Sequence, residues 1–203
     1  KGVKVQTIAP KFSGLFAKGA DYIGNVNGFA AEFEQDVAVI RHAIKDLGMP
    51  ETLKLSVHSG SDKFSIYPAI KAAIRKFDAG IHVKTAGTTW LEEVIGLAEA
   101  GSDGLEIAKE VYALSLKRYA ELTGPYATVL NINQQLLPAA AEVNKWDSRK
   151  FCDALTHNQQ CRDYNPNFRQ LIHVGYKIAA EMGDQFLSAL DRHHDIIAGK
   201  VKN

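Results

Sequence analysis

The chain has 203 residues, of which 46% are hydrophobic and 23% are charged, a balance typical of a globular protein with a sizeable core. Lysine and arginine total 24 against 23 for aspartate and glutamate, so the net charge of +1 gives no reason to expect a nucleic-acid or anionic-membrane partner. No apolar run approaches a membrane span and no signal peptide is visible, so we expect a cytoplasmic protein. Because the first residue is Lys1 rather than methionine, we also expect a processed, trimmed or fragmentary chain.

The first two thirds of the chain alternate predicted strands with predicted helices. The strands, predicted from side-chain alternation and β-favouring residues, cover residues 1–8, 53–58, 81–85 and 126–132. The helices, predicted from apolar residues at three- and four-residue spacing, cover residues 29–47, 65–77, 89–100 and 102–122. Thr89 is the predicted N-cap of the third helix, because Glu92 follows three residues later as in a capping box. This alternation indicates parallel βα units.

From residue 134 onward the sequence shows only helical patterns, over residues 134–143, 147–156, 166–182 and 184–198. The predicted organisation is a βα part, residues 1–133, that bears the active-site face, and a helical extension, residues 134–203, packed on it. Cys152 and Cys161 lie in this extension, and two reduced thiols fit a cytosolic protein better than a local disulfide or a two-cysteine metal site.

The strand predicted at residues 53–58 has two different faces, because successive side chains of a strand point to opposite sides. One face carries the apolar side chains of Leu53, Leu55 and Val57. The other carries the polar side chains of Lys54, Ser56 and His58. The strand at residues 81–85 repeats this pattern, with His82 and Lys84 on its polar side. Two strands that each offer a lysine and a histidine suggest a sheet whose polar side surrounds a ligand.

Such one-sided polarity favours a barrel over an open sheet. A doubly wound parallel sheet is covered on both faces, so its strands should be apolar on both sides. In a barrel, polar side chains at the strand C-termini reach the lumen and the upper rim, where active sites lie. The predicted fold class is therefore α/β: half of a TIM-like (β/α) barrel with an all-α C-terminal extension. Because half a barrel has two open edges, we expect the other half in a longer parent chain or a partner.

His58 and His82 are the candidate metal ligands. One histidine on a strand is more often a structural residue, but two at equivalent positions of successive strands favour a metal or acid–base role. Imidazole ligands need a carboxylate or water to complete a divalent site, and the polar faces of these strands carry no carboxylate. The missing ligand is therefore expected outside this chain.

Lys54 and Lys84 are either surface lysines or inward-facing cations, and an inward ammonium requires an anionic partner such as a charged substrate. A Schiff base at Lys84 is a less favoured alternative. Loops 59–63 and 85–89 follow the two strands and lead into helices, whose N-terminal N–H groups attract a carboxylate or a phosphate. Both loops are equally compatible with plain turns, and neither matches a nucleotide-binding fingerprint.

In the helical extension, four polar residues are spaced three and four apart and are predicted to share a helix face: Arg169, His173, Tyr176 and Lys177. An ordinary polar face is the simpler interpretation. A role in covering the substrate is the functional one.

Two stretches of the sequence are specific enough to indicate a family, KLSVHSGSDKFSIYP at residues 54–68 and HVKTAGTTWLE at residues 82–92. Residues 7–24 and 165–183 fit the same pattern. Together they resemble the tagaturonate/fructuronate epimerase family, bacterial sugar-acid enzymes with a barrel-like core and a divalent-metal requirement. The resemblance is to the C-terminal half of the longer family members.

The resemblance implies interconversion of D-tagaturonate and D-fructuronate, two ketohexuronates, by inversion of one hydroxyl-bearing carbon β to the ketone. Retro-aldol cleavage and re-addition, with the metal holding the enediolate, is favoured, and direct proton transfer by two bases is the alternative. In either route a divalent cation (Mn, Co, Ni, Fe or Zn) acts as a Lewis acid on the ketone and hydroxyl oxygens.

The resemblance also implies roles for individual residues. His58 and His82 are metal ligands, and Lys54 and Lys84 are catalytic cations that neutralise the carboxylate or the enediolate. Asp21, in the motif KGADY, is the candidate acid or base. The substrate-binding candidates are Lys11, Ser59, Ser61, Lys63, Thr85, Asn131 and His173. Asn25 departs from the pattern, since an acidic residue is expected there, and this weakens any role for its loop.

A further metal ligand and a second acid–base residue are expected in the missing N-terminal half of the parent chain, so this chain alone is expected to be inactive. The expected partners are a small sugar acid and that missing half, with no nucleic acid and no membrane, and a homo-oligomer is left open. Two alternatives remain: another metal-dependent sugar isomerase or aldolase on the same barrel, and a non-catalytic sugar-acid-binding fragment.

Overall fold

The computed structural model of the protein describes residues 5–84 and 88–202. Within these residues the strands are β1 (Thr7–Ile8), β2 (Lys54–His58) and β3 (Ile81–Lys84). The helices are α1 (Val26–Leu47), α2 (Tyr67–Lys76), α3 (Thr88–Ala100), α4 (Ser102–Lys117), α5 (Tyr119–Thr123), α6 (Ala140–Val143), α7 (Ser148–Leu155), α8 (Pro166–Val174), α9 (Tyr176–Met182), α10 (Asp184–Arg192) and α11 (His194–Lys202). Among the residues described, no helix combines the length and the apolar character needed to span a membrane.

The three strands form one parallel sheet in the order β1-β2-β3. The register between β2 and β3 pairs Ser56 with His82 and His58 with Lys84. The predicted polar sides of the two strands therefore form a single surface. We call it the polar face and define it as Lys54, Ser56, His58, His82 and Lys84. The predicted α/β class is confirmed: the chain is helix-rich with a small parallel sheet.

The chain divides into two compact units. Unit 1 consists of Lys1–Ala17 and Asp21–Ala86, and unit 2 consists of Lys18–Ala20 and Gly87–Asn203. The boundary predicted from the sequence lies instead between residues 133 and 134. In the structure, helices α3 to α5 belong to the same unit as the helical extension.

Unit 1 is built on the apolar side of β2. Leu53, Leu55 and Val57 are buried there, in one core with the apolar stripe of α1 that includes Phe29 and Phe33. Burying each such side chain contributes about 1.5–3 kcal/mol, so the alternation in the β2 sequence fixes which side of the sheet faces inward. The polar face consequently points away from this core.

Unit 2 is a helical core in which α8 is the most buried element. Every residue from Asn167 to Val174 is buried, including the polar side chains of Arg169, Gln170 and His173. A helix buried on all sides needs hydrogen-bond partners for each polar side chain. These partners determine how the neighbouring loops are held.

The predicted strand over residues 126–132 does not form. Gly124–Tyr126 is a 3-10 turn, and the backbone after it is irregular up to residue 133. The backbone N–H of Asn131 donates to Gln170 Oε1 at 2.9 Å, and its carbonyl accepts from Gln170 Nε2 at 3.2 Å. The N–H of Asn133 donates to Asn167 Oδ1 at 2.8 Å. Side-chain amides of α8 therefore bond backbone groups that the predicted strand would have bonded to a neighbouring strand.

Two predicted helix boundaries are also wrong. The predicted helix 166–182 is interrupted at Gly175, where a Cβ atom would lie 2.5 Å from Ser115 Oγ, so the close approach of α4 requires glycine there. Thr89 is not an N-cap, because α3 already begins at Thr88.

Candidate functional site

The polar face brings four of the predicted site residues together on adjacent strands. The side chains of Lys54, His58, His82 and Lys84 are exposed, whereas Ser56 is only 2% exposed. His58 and His82 lie one strand apart and two residues out of register, which places their Cα atoms about 8 Å apart. Two imidazoles at this spacing can reach one cation, because Zn–N bonds are about 2.0–2.1 Å long.

Ser56 determines the orientation of His82. Its hydroxyl Oγ lies 2.7 Å from His82 Nδ1, across the directly paired positions of β2 and β3. With Nδ1 engaged by this hydrogen bond, the remaining ring nitrogen, Nε2, is available to a ligand. The sequence analysis places Ser56 on the polar side of its strand but assigns it no role.

The loop after β2, residues 59–63, has an unusual backbone. Ser59 and Asp62 have positive φ angles of 52° and 62°, which are uncommon for residues other than glycine. Gly60 donates its N–H to the carbonyl of Lys84 at 3.2 Å, and a Cβ there would lie 2.5 Å from Val83 Cγ1. The loop is therefore tied to the end of β3, next to the polar face.

Lys63 anchors this loop from inside the protein. Its side chain is completely buried, and Nζ donates to the carbonyls of Ala17 and Ser61 at 2.8 and 2.9 Å. Ser61 is also buried. This geometry gives Lys63 a loop-anchoring role rather than the substrate contact predicted from the sequence.

Asp21, the predicted acid or base, also holds two segments of unit 1 together. Its carboxylate accepts hydrogen bonds from the backbone N–H of Tyr22 at 2.7 Å and from the hydroxyl of Ser65 at 2.9 Å. The backbone N–H of Ser65 donates to the same carboxylate. These bonds tie Ser65, which follows the loop 59–63, to the segment that contains Asp21. Proton transfer by Asp21 stays a prediction.

Tyr67 is a loop-holding residue that the sequence analysis missed. Its hydroxyl donates to the carbonyl of Gly60 at 2.6 Å, and burial raises the pKa of its hydroxyl above the ordinary value. The tyrosine therefore stays protonated and retains its donor at neutral pH. Its place in the motif at residues 54–68 is the only sequence signal for this role.

The other predicted substrate-binding residues are distributed over both units. Lys11 is exposed in unit 1, and Thr85 lies outside the described residues. Asn131 and His173 belong to unit 2, where Asn131 is exposed and His173 is buried beside Gly19. Their roles in substrate binding stay predictions.

The predicted shared face of Arg169, His173, Tyr176 and Lys177 does not exist. Arg169 is 1% exposed and donates to the carbonyls of Gly19 and Leu155, at 3.0 and 2.6 Å. Tyr176 and Lys177 are exposed and lie on the next helix, α9. Arg169 and His173 share burial in α8, not an exposed surface.

The histidines of the polar face fit part of a metal site. The residues that the structure describes contain no cluster of three or more His, Cys, Asp or Glu side chains placed to hold a metal. Two imidazoles supply nitrogen ligands of the kind that zinc, nickel and iron accept, and the remaining ligands would come from elsewhere. Both cysteines are free, and burial raises the pKa of the Cys152 thiol to about 12, so this thiol is a poor ligand at neutral pH.

The fold and the polar face together define a class: an α/β protein whose parallel sheet presents histidine and lysine side chains beside a loop that hydrogen bonds hold in place. A family model described as tagaturonate epimerase matches residues 1–194. The chain therefore belongs to the tagaturonate epimerase family, and the resemblance stated from its motifs is confirmed.

Individual relatives agree with this assignment. The tagaturonate/fructuronate epimerase of Thermotoga maritima is 29% identical over 199 residues, which cover 97% of this chain and 36% of the relative. The native crystal structure of fructuronate-tagaturonate epimerase from Cohnella laeviribosi superposes with a TM-score of 0.75 at 26% identity, covering 97% of this chain and 36% of that one. A crystal structure of the same enzyme with two glycerols gives 0.75 at 28% identity, covering 98% and 37%. The chain thus spans little more than a third of the length of these relatives.

Proposed function

We propose that this chain forms part of an epimerase that interconverts D-tagaturonate and D-fructuronate with the help of a divalent cation. The family supports the epimerase activity and the substrate class. The observation that supports the site is the register of the polar face, which puts His58 beside Lys84 and His82 beside Ser56. The expected location is the cytoplasm.

We further propose that the sheet is one part of a TIM-like barrel. β1 and β3 are the outer strands of the described sheet, so each has one edge available for a further strand. The polar face would then line the lumen, and the ends of the strands would lie at its rim. The relatives' additional length is sufficient to supply the missing strands.

In this proposal the lysines bind the charged end of the substrate. Lys54 and Lys84 place two ammonium groups on the polar face, and both are exposed. Their charges attract the carboxylate of a ketouronate and orient its carbon chain across the sheet. Positioning of this kind supplies a large part of catalysis, because the reacting carbon must be held in one place while its configuration changes.

His58 and His82 would hold the cation. When bound, a divalent cation acts as a Lewis acid on the ketone and hydroxyl oxygens. In the favoured retro-aldol route a base removes the proton from the hydroxyl on the inverting carbon, and the bond from that carbon to the carbon next to the ketone breaks. Its electron pair passes into an enediolate, and the aldehyde fragment rotates. The enediolate then adds to the other face of the aldehyde, and the proton returns to the new alkoxide. Asp21 is the acid or base that this chain offers, held by Ser65 and Tyr22, and a second acid–base residue is expected in the region that the relatives have in addition.

The test combines metal binding with turnover. Calorimetric titration of the chain with manganese, cobalt, nickel and zinc should detect a site that His58→Ala and His82→Ala each weaken by about tenfold or more, as loss of a ligand requires. His42→Ala is the matched control. His42 is exposed on α1 and paired with Asp46, so its loss should leave the affinity unchanged.

Turnover is measured on a longer polypeptide that contains this chain and the additional region of its relatives. Interconversion of the two ketouronates, lost in both variants of the site and retained in His42→Ala, is the expected result. Metal affinity that is indifferent to both substitutions, or a longer polypeptide that turns over other sugars but no ketouronate, contradicts the proposal.

A further inference from the structure

Ser56 differs from its neighbours on the polar face. Lys54 and His58, two residues before and after it on β2, are exposed, but Ser56 is 2% exposed. Its hydroxyl lies 2.7 Å from the Nδ1 atom of His82. The buried hydroxyl of Ser56 therefore contacts the exposed imidazole of His82, which lies at the directly paired position of the neighbouring strand.

This contact bears on which ring nitrogen can bind a cation. A neutral imidazole carries its proton on one nitrogen and its free electron pair on the other. Metal-binding histidines almost always donate the second N–H to an acceptor, which fixes the tautomer and the ring orientation. Lys84, the partner of His58, has only donors on its ammonium group, so it cannot play this part. The hydroxyl of Ser56 can, because it accepts as well as donates.

We infer that Ser56 is a positioning residue for His82: its hydroxyl accepts a hydrogen bond from Nδ1–H and thereby turns the electron pair of Nε2 toward the open polar face. The inference rests on the metal role proposed for His82. In this role Ser56, an uncharged residue, supports the site through His82 and contacts neither the substrate nor the cation itself.

The alternative is an ordinary cross-strand hydrogen bond in which Ser56 donates to an unprotonated Nδ1, so that Nε2 carries the proton. The two roles predict opposite tautomers of His82, so they can be separated in the metal-free chain.

The first experiment observes the ring nitrogens directly. Long-range ¹⁵N–¹H spectra of the ¹⁵N-labelled chain, recorded at about pH 8.5 where an imidazole of ordinary pKa is neutral, report the tautomer of each histidine. We expect the Nδ1–H form for His82, with a shift toward the Nε2–H form in Ser56→Ala. An Nε2–H form in the unsubstituted chain, or the same tautomer in both proteins, overturns the inference.

The second experiment measures zinc affinity by calorimetry. Ser56→Ala should bind zinc about tenfold more weakly, the lower end of the range for such supporting residues, and Ser56→Thr should restore most of the loss because it keeps the hydroxyl. Ser13→Ala is the control, since it removes a serine hydroxyl bonded to Glu32 in the same unit and should have no effect. Circular dichroism verifies that each variant is folded.

His82→Ala distinguishes the two levels of the proposal. If His82→Ala weakens zinc binding and Ser56→Ala does not, the metal site stands and the role of Ser56 is refuted. If neither substitution matters, the proposed metal site itself is wrong.

Discussion

Lys63 is a charged side chain used as a structural anchor. Its ammonium group is completely buried and bonded to the carbonyls of Ala17 and Ser61. These contacts hold a loop in which Ser59 and Asp62 adopt positive φ angles, a conformation that costs about 1 kcal/mol or more per residue unless its surroundings enforce it. The lysine thus stabilises the backbone beside His58.

Removing this ammonium should destabilise unit 1. Lys63→Met keeps the length of the side chain but leaves two buried carbonyls without their donor, so the free energy of unfolding should fall by about 2–4 kcal/mol. Urea denaturation followed by far-ultraviolet circular dichroism measures the loss.

Lys71→Met provides the comparison for Lys63→Met. Lys71 is exposed on α2, and its substitution should change the free energy of unfolding by no more than about 0.5 kcal/mol. Equal stability of the two variants would show that the buried contacts of Lys63 contribute nothing to the fold.

Side chains of helix α8 form hydrogen bonds with irregular backbone that a neighbouring strand would otherwise form. The side-chain amide of Gln170 bonds both the N–H and the carbonyl of Asn131, and Asn167 bonds the N–H of Asn133. At the N-terminus of the helix, Asn165 accepts from the N–H groups of Asn167 and Phe168. Amide side chains on one helix therefore replace the missing fourth strand.

Hydrogen exchange tests this arrangement. In Gln170→Ala the N–H of Asn131 loses its acceptor, so its exchange should accelerate strongly, and the loss of both hydrogen bonds should reduce stability by about 1–3 kcal/mol. The N–H of Asn133 bonds to Asn167 instead and should stay protected.

Gln135→Ala serves as the control for Gln170→Ala, because Gln135 is an exposed glutamine close to the same segment. Its substitution should leave both amides protected. Rapid exchange of Asn131 already in the unsubstituted chain would contradict the role assigned to Gln170.

The elements that the sequence predicts well are those in which one periodic pattern decides burial. β2 forms over Lys54–His58 because alternation separates its two sides, and α1 ends at Leu47 because Gly48 adopts the left-handed conformation with φ of 67°. The strand at residues 126–132 fails because its backbone partners are side chains some 39 residues away, such as Gln170, which no local pattern reveals.

The same reasoning explains the outcome for the site. The polar face is predictable, since it follows from period two and parallel pairing alone. Lys63 and Asp21 look like ligand-binding residues in the sequence. A polar loop residue that bonds to backbone has the same local sequence pattern as one that binds a substrate. Only tertiary contacts separate the two cases.

At the scale of the whole chain, Asp103 and Glu121 are two carboxylates of unit 2 with lowered pKa values. Hydrogen bonds from His193 and Arg192 lower the pKa of Asp103 to about 2, which ties the start of α4 to the end of α10. Hydrogen bonds from Arg118 and Lys177 lower the pKa of Glu121 to about 2. In unit 1, burial followed by the charge of Glu32 raises the pKa of Asp36.

These shifts have opposite consequences in acid. A carboxylate with a lowered folded-state pKa stabilises the fold above its unfolded value of about 4, and this contribution disappears as the pH falls toward 2. A carboxylate with a raised folded-state pKa destabilises the fold while it is ionised. Protonation of Asp36 therefore removes this destabilisation of unit 1 as the pH falls. Burial raises the pKa of Glu93 in unit 2 in the same way. Acid should therefore remove the contributions of Asp103 and Glu121 to the stability of unit 2.

Trp90 and Trp146 both belong to unit 2, so their fluorescence reports the unfolding of that unit. Between about pH 4 and pH 2, the midpoint of thermal unfolding followed by tryptophan fluorescence should fall. Asp103→Asn should lower thermal stability at neutral pH and flatten its dependence on pH across this window. Asp191→Asn, an exposed change on α10, should leave that dependence intact. The same dependence on pH in Asp103→Asn as in the unsubstituted chain would show that these ion pairs do not govern acid stability.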